Sequence, residues 1–110
     1  MATPYKRGRT FEYRVSARLV GLDYHVVRSA SSHGEADLVA SRAGKTLFVQ
    51  AKTQDRLDPG EWNALFNAAK KAGALPILVT KDKKRKLVFW RLTGPKVPRS
   101  RHKPRELFEP

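Results

Sequence analysis

The chain has 110 residues, enough for one domain with a layered core and too few for two. Its 23 Lys and Arg outweigh 10 Asp and Glu to leave a formal charge of +13, and the absence of cysteine excludes a disulfide framework or a thiolate metal site. No apolar run approaches a membrane span and the opening MATPYKRGRT lacks the apolar block of a secretory signal, so a cytoplasmic protein with no membrane partner is expected.

So large a basic excess costs self-repulsion unless a polyanion uses it. Nucleic acid is the expected partner, because no segment has the basic amphipathic pattern of a membrane-surface helix. Residues 1–9 carry Lys6, Arg7 and Arg9 without periodicity and read as a basic arm or helix lead-in. Phe11, Val15, Leu19 and Leu22 then recur at helical spacing and Gly21 suits a helix end, which predicts a first helix from Thr10 to Val20. Glu12 falls at the border of that stripe, either a first-turn acid or a carboxylate that reaches over the sheet edge.

HVVR is a short strand, followed by the small polar run Ser29, Ala30, Ser31, Ser32, His33 and Gly34, which suits a loop approaching a ligand. His33 there is a phosphate contact or a solvated side chain before it is a general base. DLVAS and KTLFVQAK flank Arg42, Ala43, Gly44 and Lys45 and predict a hairpin. With a two- or four-residue turn, Asp37 stands opposite Gln50 and Glu35 opposite Lys52; a three-residue turn would scatter them. Gln50 and Lys52 share a face with Phe48, so that face is not simply the wet side of a sheet.

Asp58, Pro59 and Glu61 mark the start of a second helix, whose buried stripe is Trp62, Leu65, Phe66, Ala69 and Ala72 and whose stop is Gly73. LPILVT and LVFWRL are two further strands around the basic turn Lys81, Asp82, Lys83, Lys84, Arg85 and Lys86. The order is thus α-β-β-β-α-β-β, an α/β arrangement of the α+β sandwich kind over residues 1–92. Residues 93–110, with four prolines and five Lys or Arg, are expected to form a basic, proline-rich tail rather than an element, with Leu107 and Phe108 able to dock.

Gly8-x-x-x-Glu12, HVVRSASS, ADLVA, LFVQAK, EWNALF and AGALPILVTK, in this order and spacing, resemble the archaeal-type Holliday junction resolvases of the PD-(D/E)xK nuclease superfamily over about residues 6–92. The resemblance implies a restriction-endonuclease-like core with a mixed central sheet and a homodimeric, Mg²⁺-dependent endonuclease, with Mn²⁺ as substitute, cutting opposed strands of a four-way DNA junction. It makes Glu12, Asp37 and Gln50 the metal-site residues, joined by the Ala51 carbonyl, with Lys52 the catalytic lysine and Ser32 the loop serine. Arg28 would be the basic residue of VVRSA. Mg²⁺ takes oxygen ligands and keeps several waters, which that donor set allows. Arg7, Arg9, Arg28, Ser32, His33, Lys81, Lys83, Lys84 and Arg85 are the expected DNA contacts. Two positions depart from the pattern: Gln50 stands where Glu is usual, and Ala36 where Pro precedes the Asp. The alternatives are another DNA endonuclease on the same core, or a junction-binding module made inactive by Gln50.

Overall fold

A computed structural model describes residues 4–29 and 36–110, with residues 4–8 described by backbone alone. Helix α1 spans Pro4–Gly21, strands β1 His25–Arg28, β2 Leu38–Arg42 and β3 Lys45–Ala51, helix α2 Pro59–Ala72, and strands β4 Leu75–Lys81, β5 Leu87–Leu92 and β6 Arg105–Leu107. The strands form one sheet in the order β1-β2-β3-β4-β5-β6. Every neighbouring pair is antiparallel except β3 and β4, which are parallel. A parallel pair needs a crossover, and α2 supplies it.

The helices cover opposite faces. Phe11, Val15 and Leu19 of α1 join Leu38, Ala40, Leu47, Val49, Ile77, Val79 and Phe89 in one buried cluster. Trp62 and Leu65 of α2 join Leu57, Leu78, Leu92 and Ala36 in the other, with Phe48, Phe66 and Trp90 packed against it. The alternation of Ile77 and Val79 with Leu78 shows why β4 is apolar throughout, since both of its faces are covered. Each large side chain fully withdrawn from water contributes about 1.5–3 kcal/mol, so the two clusters carry the fold.

Local chemistry sets the boundaries. Ala43 and Gly44, at φ 51° and 78°, form a two-residue turn that pairs Arg42 with Lys45 and carries the register up to Leu38 opposite Val49. Asp58 caps α2 by accepting from the Glu61 N–H at 2.8 Å, and Gly73, left-handed at φ 67°, ends it.

Two expectations are corrected. α1 starts at Pro4 rather than Thr10: proline suits the first helical position, and the apolar stripe that betrays a helix begins only at Phe11. Residues 93–110 are not without an element, because β6 pairs Leu107 with Trp90, Glu106 with Arg91 and Arg105 with Leu92. The segment between is tied down by polar contacts. The Trp62 indole donates to the Gly94 carbonyl at 2.9 Å, and Asn63 accepts from the Lys96 N–H at 2.8 Å while donating to its carbonyl at 3.2 Å. Arg105 lies 4.0 Å over the Trp90 ring and forks onto both oxygens of Asp55 at 2.7 Å. Phe108 then docks on the α1-side cluster.

Candidate active site

The end of the sheet at which β3 finishes gathers the chemistry. Because β3 and β4 are parallel, with Ala51 level with Val79, the C-terminal ends of β1, β3 and β4 and the start of β2 all meet there.

Asp37 enters this end through a bulge. Leu38 pairs with Val49, yet the Asp37 N–H also goes to the Val49 carbonyl at 2.8 Å, so two residues of one strand face one of the other. The packing agrees, since Ala36 joins the α2-side cluster and Leu38 the α1-side cluster, whereas in a regular strand both would face one way. The expected pairing of Asp37 directly opposite Gln50 is thereby corrected by one step. The slip re-aims the carboxylate along β3, where Oδ2 accepts the Ala51 N–H at 2.9 Å. Backbone groups alternate in direction along a strand, and Lys52 sends its N–H to Val79 on β4. The Ala51 carbonyl therefore points to the β2 side, toward Asp37.

Glu12 on α1 lies close enough to Asp37 for their charges to interact. Burial raises the Glu12 carboxyl above its ordinary value and the Asp37 charge raises it further, while Arg28 and Arg9 lower it. Burial likewise raises Asp37, against the lowering effects of the Ala51 N–H, Lys52 and Arg28. Arg28 Nε pairs with Glu12 Oε2 at 3.4 Å. Two partly desolvated carboxylates held together stay harder to ionise than free ones even with three cations nearby, Arg9, Arg28 and Lys52.

Gln50 and Lys52 follow Phe48 to the α2 side. The Lys52 ammonium meets the Glu61 carboxylate at 2.9 Å, a contact not foreseen from sequence, where Glu61 read only as part of the helix cap. The Gln50 amide has no hydrogen-bond partner among the described residues, and nothing in its spacing marks that. Tyr13 was also missed, because an aromatic on the exposed side of a helix gives no periodic signal; Arg9 and Arg28 both lie near its ring.

Of the expected DNA contacts, Arg9 and Arg28 are exposed beside the carboxylates. Lys81, which closes β4, and Lys83, Lys84 and Arg85 on the β4–β5 turn are exposed at the same sheet end. That turn is shaped by Asp82, whose Oδ1 accepts from the N–H groups of Lys84 and Lys86, and is tied to α1 where Arg14 donates to the Arg85 carbonyl. Ser32, His33 and Glu35 lie outside the described residues, as does the side chain of Arg7. Among the described residues no group of three acidic or His side chains is poised to hold a metal, which leaves two carboxylates and one amide. An open groove of about 960 Å³ between α1 and β5–β6 is lined by none of these site residues.

No helix among the described residues is long and apolar enough to cross a membrane. No curated protein matches the chain. Among solved structures it is similar to the Archaeoglobus fulgidus Hjc, a Holliday junction resolvase from an archaeal hyperthermophile. That match has a TM-score of 0.66 at 22% identity, over 76% of this chain and 70% of that one, a likeness of fold. The family model described as archaeal Holliday junction resolvase (Hjc) matches residues 3–101. With nearly its whole length so matched, the chain belongs to the archaeal Holliday junction resolvase family, nucleases of DNA recombination and repair.

Proposed function

We propose that the chain is a divalent-metal-dependent endonuclease that hydrolyses phosphodiester bonds on opposed strands of a four-way DNA junction as a homodimer. The observation that carries this reading is the pair of desolvated carboxylates, Glu12 and Asp37, between Lys52 and Arg28 at one end of the sheet. The donor set suits a hard cation: two carboxylates that burial holds above their ordinary values despite nearby cations, the Gln50 amide, unengaged among the described residues, and the Ala51 carbonyl offer oxygen. Glu12, Asp37, Gln50 and Ala51 would hold Mg²⁺ or Mn²⁺, which would acidify a water and offset charge on the scissile phosphate.

The remaining work belongs to the chain itself. The Ala51 N–H fixes the Asp37 carboxylate against rotation. Lys52, steadied by Glu61, orients the attacking water or neutralises phosphate charge. Arg28 holds the phosphodiester, and the basic β4–β5 turn tracks a duplex arm. Two equivalent cuts across a junction need two sites related by a dyad, and one such chain carries one. An enzyme with this substrate works where DNA is, in the cytoplasm of a prokaryotic cell or, if virus-encoded, of its host.

Gln50 favours a second reading. An amide in place of a carboxylate removes one negative charge from the donor set, as in a module that binds junctions without cutting them. A strand-resolved assay on an immobile four-way junction with Mg²⁺, Mn²⁺ or chelator, beside a linear duplex, separates the readings. Paired, metal-dependent nicks that spare the duplex, lost in Asp37→Ala with binding intact, support the nuclease. Cutting of junction and duplex alike points to another endonuclease on this fold, and tight binding without cleavage in any metal sinks catalysis. Affinity in either case falls with salt at about −0.9 log units per phosphate neutralised.

A further inference from the structure

Tyr13 follows Glu12 on α1 and is 54% exposed, so packing does not explain where its ring sits. Its hydroxyl accepts from Arg9 Nε at 3.3 Å and Nη2 at 3.2 Å. The guanidinium of Arg9 lies 5.6 Å from the ring centroid and that of Arg28 lies 5.5 Å from it. One ring thus attracts two cations that repel each other. An ordinary helix-surface pair accounts for Arg9, four residues earlier on the same helix. It does not account for Arg28, which arrives from β1 and is bound through Nε to Glu12. The Nη groups of Arg28 have no hydrogen-bond partner among the described residues, which leaves its fork for an anion.

We propose that Tyr13 is a positioning residue of this site, whose ring and hydroxyl hold Arg9 and Arg28 side by side so that both guanidiniums meet the phosphodiester to be cut. This rests on the nuclease reading above. The chemistry of the ring suits the task, because an aromatic face steadies cations without neutralising them. Glu12 alone would hold Arg28 as a closed ion pair; the ring turns the same side chain outward while its charge stays available. Arginine rather than lysine is what such a clamp needs, since only the planar guanidinium both stacks on a ring and binds phosphate bidentately.

The test uses the full chain and five proteins: wild type, Tyr13→Phe, Tyr13→Leu, Arg28→Ala and the double variant of the last two. Single-turnover cleavage of an immobile four-way junction is measured with Mg²⁺ at saturating enzyme, junction affinity is measured in chelator, and the arginine Nε–H signals are followed by NMR. Tyr13→Leu should slow cleavage roughly 2- to 30-fold, the range of an exposed to a desolvated cation–π contact. Affinity should change less than about 3-fold, because so many other cations carry it. Tyr13→Phe, which keeps the ring, should lose about half of that effect on a logarithmic scale. Adding Tyr13→Leu to Arg28→Ala should cost less than it does in the wild type. The Arg9 and Arg28 Nε–H signals should lose their ring-current shifts in Tyr13→Leu. Unchanged signals, a wild-type cleavage rate in Tyr13→Leu, or an equal cost in both backgrounds would overturn the proposal. If the wild-type chain cuts no junction, the functional reading falls, and the NMR comparison still decides whether the ring sets the arginines.

Discussion

Asp37 and Asp55 lie on either side of β3 and are treated in opposite ways. Asp55 gives both oxygens to Arg105 and one also to Lys103 at 3.1 Å, and the Arg105 hydrogen bonds hold its carboxyl below the ordinary value. Asp37 receives one backbone N–H, and burial holds its carboxyl above the ordinary value despite Lys52 and Arg28. The first carboxylate is satisfied by the chain alone. The second is short of positive charge, and its neighbour Glu12 raises the same demand. One residue type is thus satisfied at one position and left under strain of burial at the other, by its surroundings alone.

The sign of each pH effect follows. Asp55, with a lowered folded value, adds stability that is present above its unfolded value and lost as pH falls through the folded one. Glu12 and Asp37, with raised folded values, add stability that is present below their unfolded values and lost as pH rises through the folded ones. On the proposed function cleavage needs both acids ionised, so at limiting metal, activity should decline on acidification at a higher pH than ordinary carboxylates would dictate, while the Asp55–Arg105 contact opens only in stronger acid. A pH–rate profile beside far-UV melts at each pH would break the comparison if both changes occurred together.

The largest expected effect is that of Asp37→Asn. Cleavage should fall by roughly a thousandfold or more, as when a metal ligand is lost, while the melting temperature holds or rises because a costly buried charge is gone. A clear fall in melting temperature would show that Asp37 is structural, like Asp55. Gln50→Glu comes next: one added carboxylate should lower the Mg²⁺ concentration for half-maximal cleavage by about tenfold, and Mg²⁺ should then raise the melting temperature more than in the wild type. Asp55→Ala should cost about 1–2 kcal/mol in a urea melt, a charged bidentate pair discounted for the 38% exposure of the carboxylate, with cleavage at saturating metal within a few-fold of wild type. Lys103→Ala, which removes the more exposed partner, should cost only a few tenths of a kcal/mol in the same melt.

What sequence could reveal was whatever repeats. The β2–β3 hairpin was legible because alternation and the Ala43-Gly44 turn fix its register together, and α2 was legible because Asp58, Pro59 and Gly73 bracket an apolar stripe. The bulge at Asp37 was not, since a bulge is one interruption of a period, and it decides where the carboxylate points. The Lys52–Glu61 contact depends on how α2 docks beside the end of β3, which no local pattern encodes. β6 escaped because three residues cannot display an alternation, and its pairing is enforced by Asp55, Asn63 and Trp62 far away in the chain. The grouping of Glu12, Asp37 and Lys52 was instead what the resemblance to the archaeal-type resolvases implied, over about residues 6–92.

That short sixth strand also bears on the protein during its synthesis. β5 reads LVFWRL, and until residues 105–107 emerge its free edge presents unpaired N–H and C=O groups along an apolar strand. Such an edge is a template for another nascent chain. β6 replaces it with an outer strand of three residues carrying Arg105 and Glu106, too brief and too charged to recruit a neighbour. Ending the chain at residue 92 would leave the helices and the carboxylates in place and expose the apolar β5 edge, making the protein prone to stacking edge to edge.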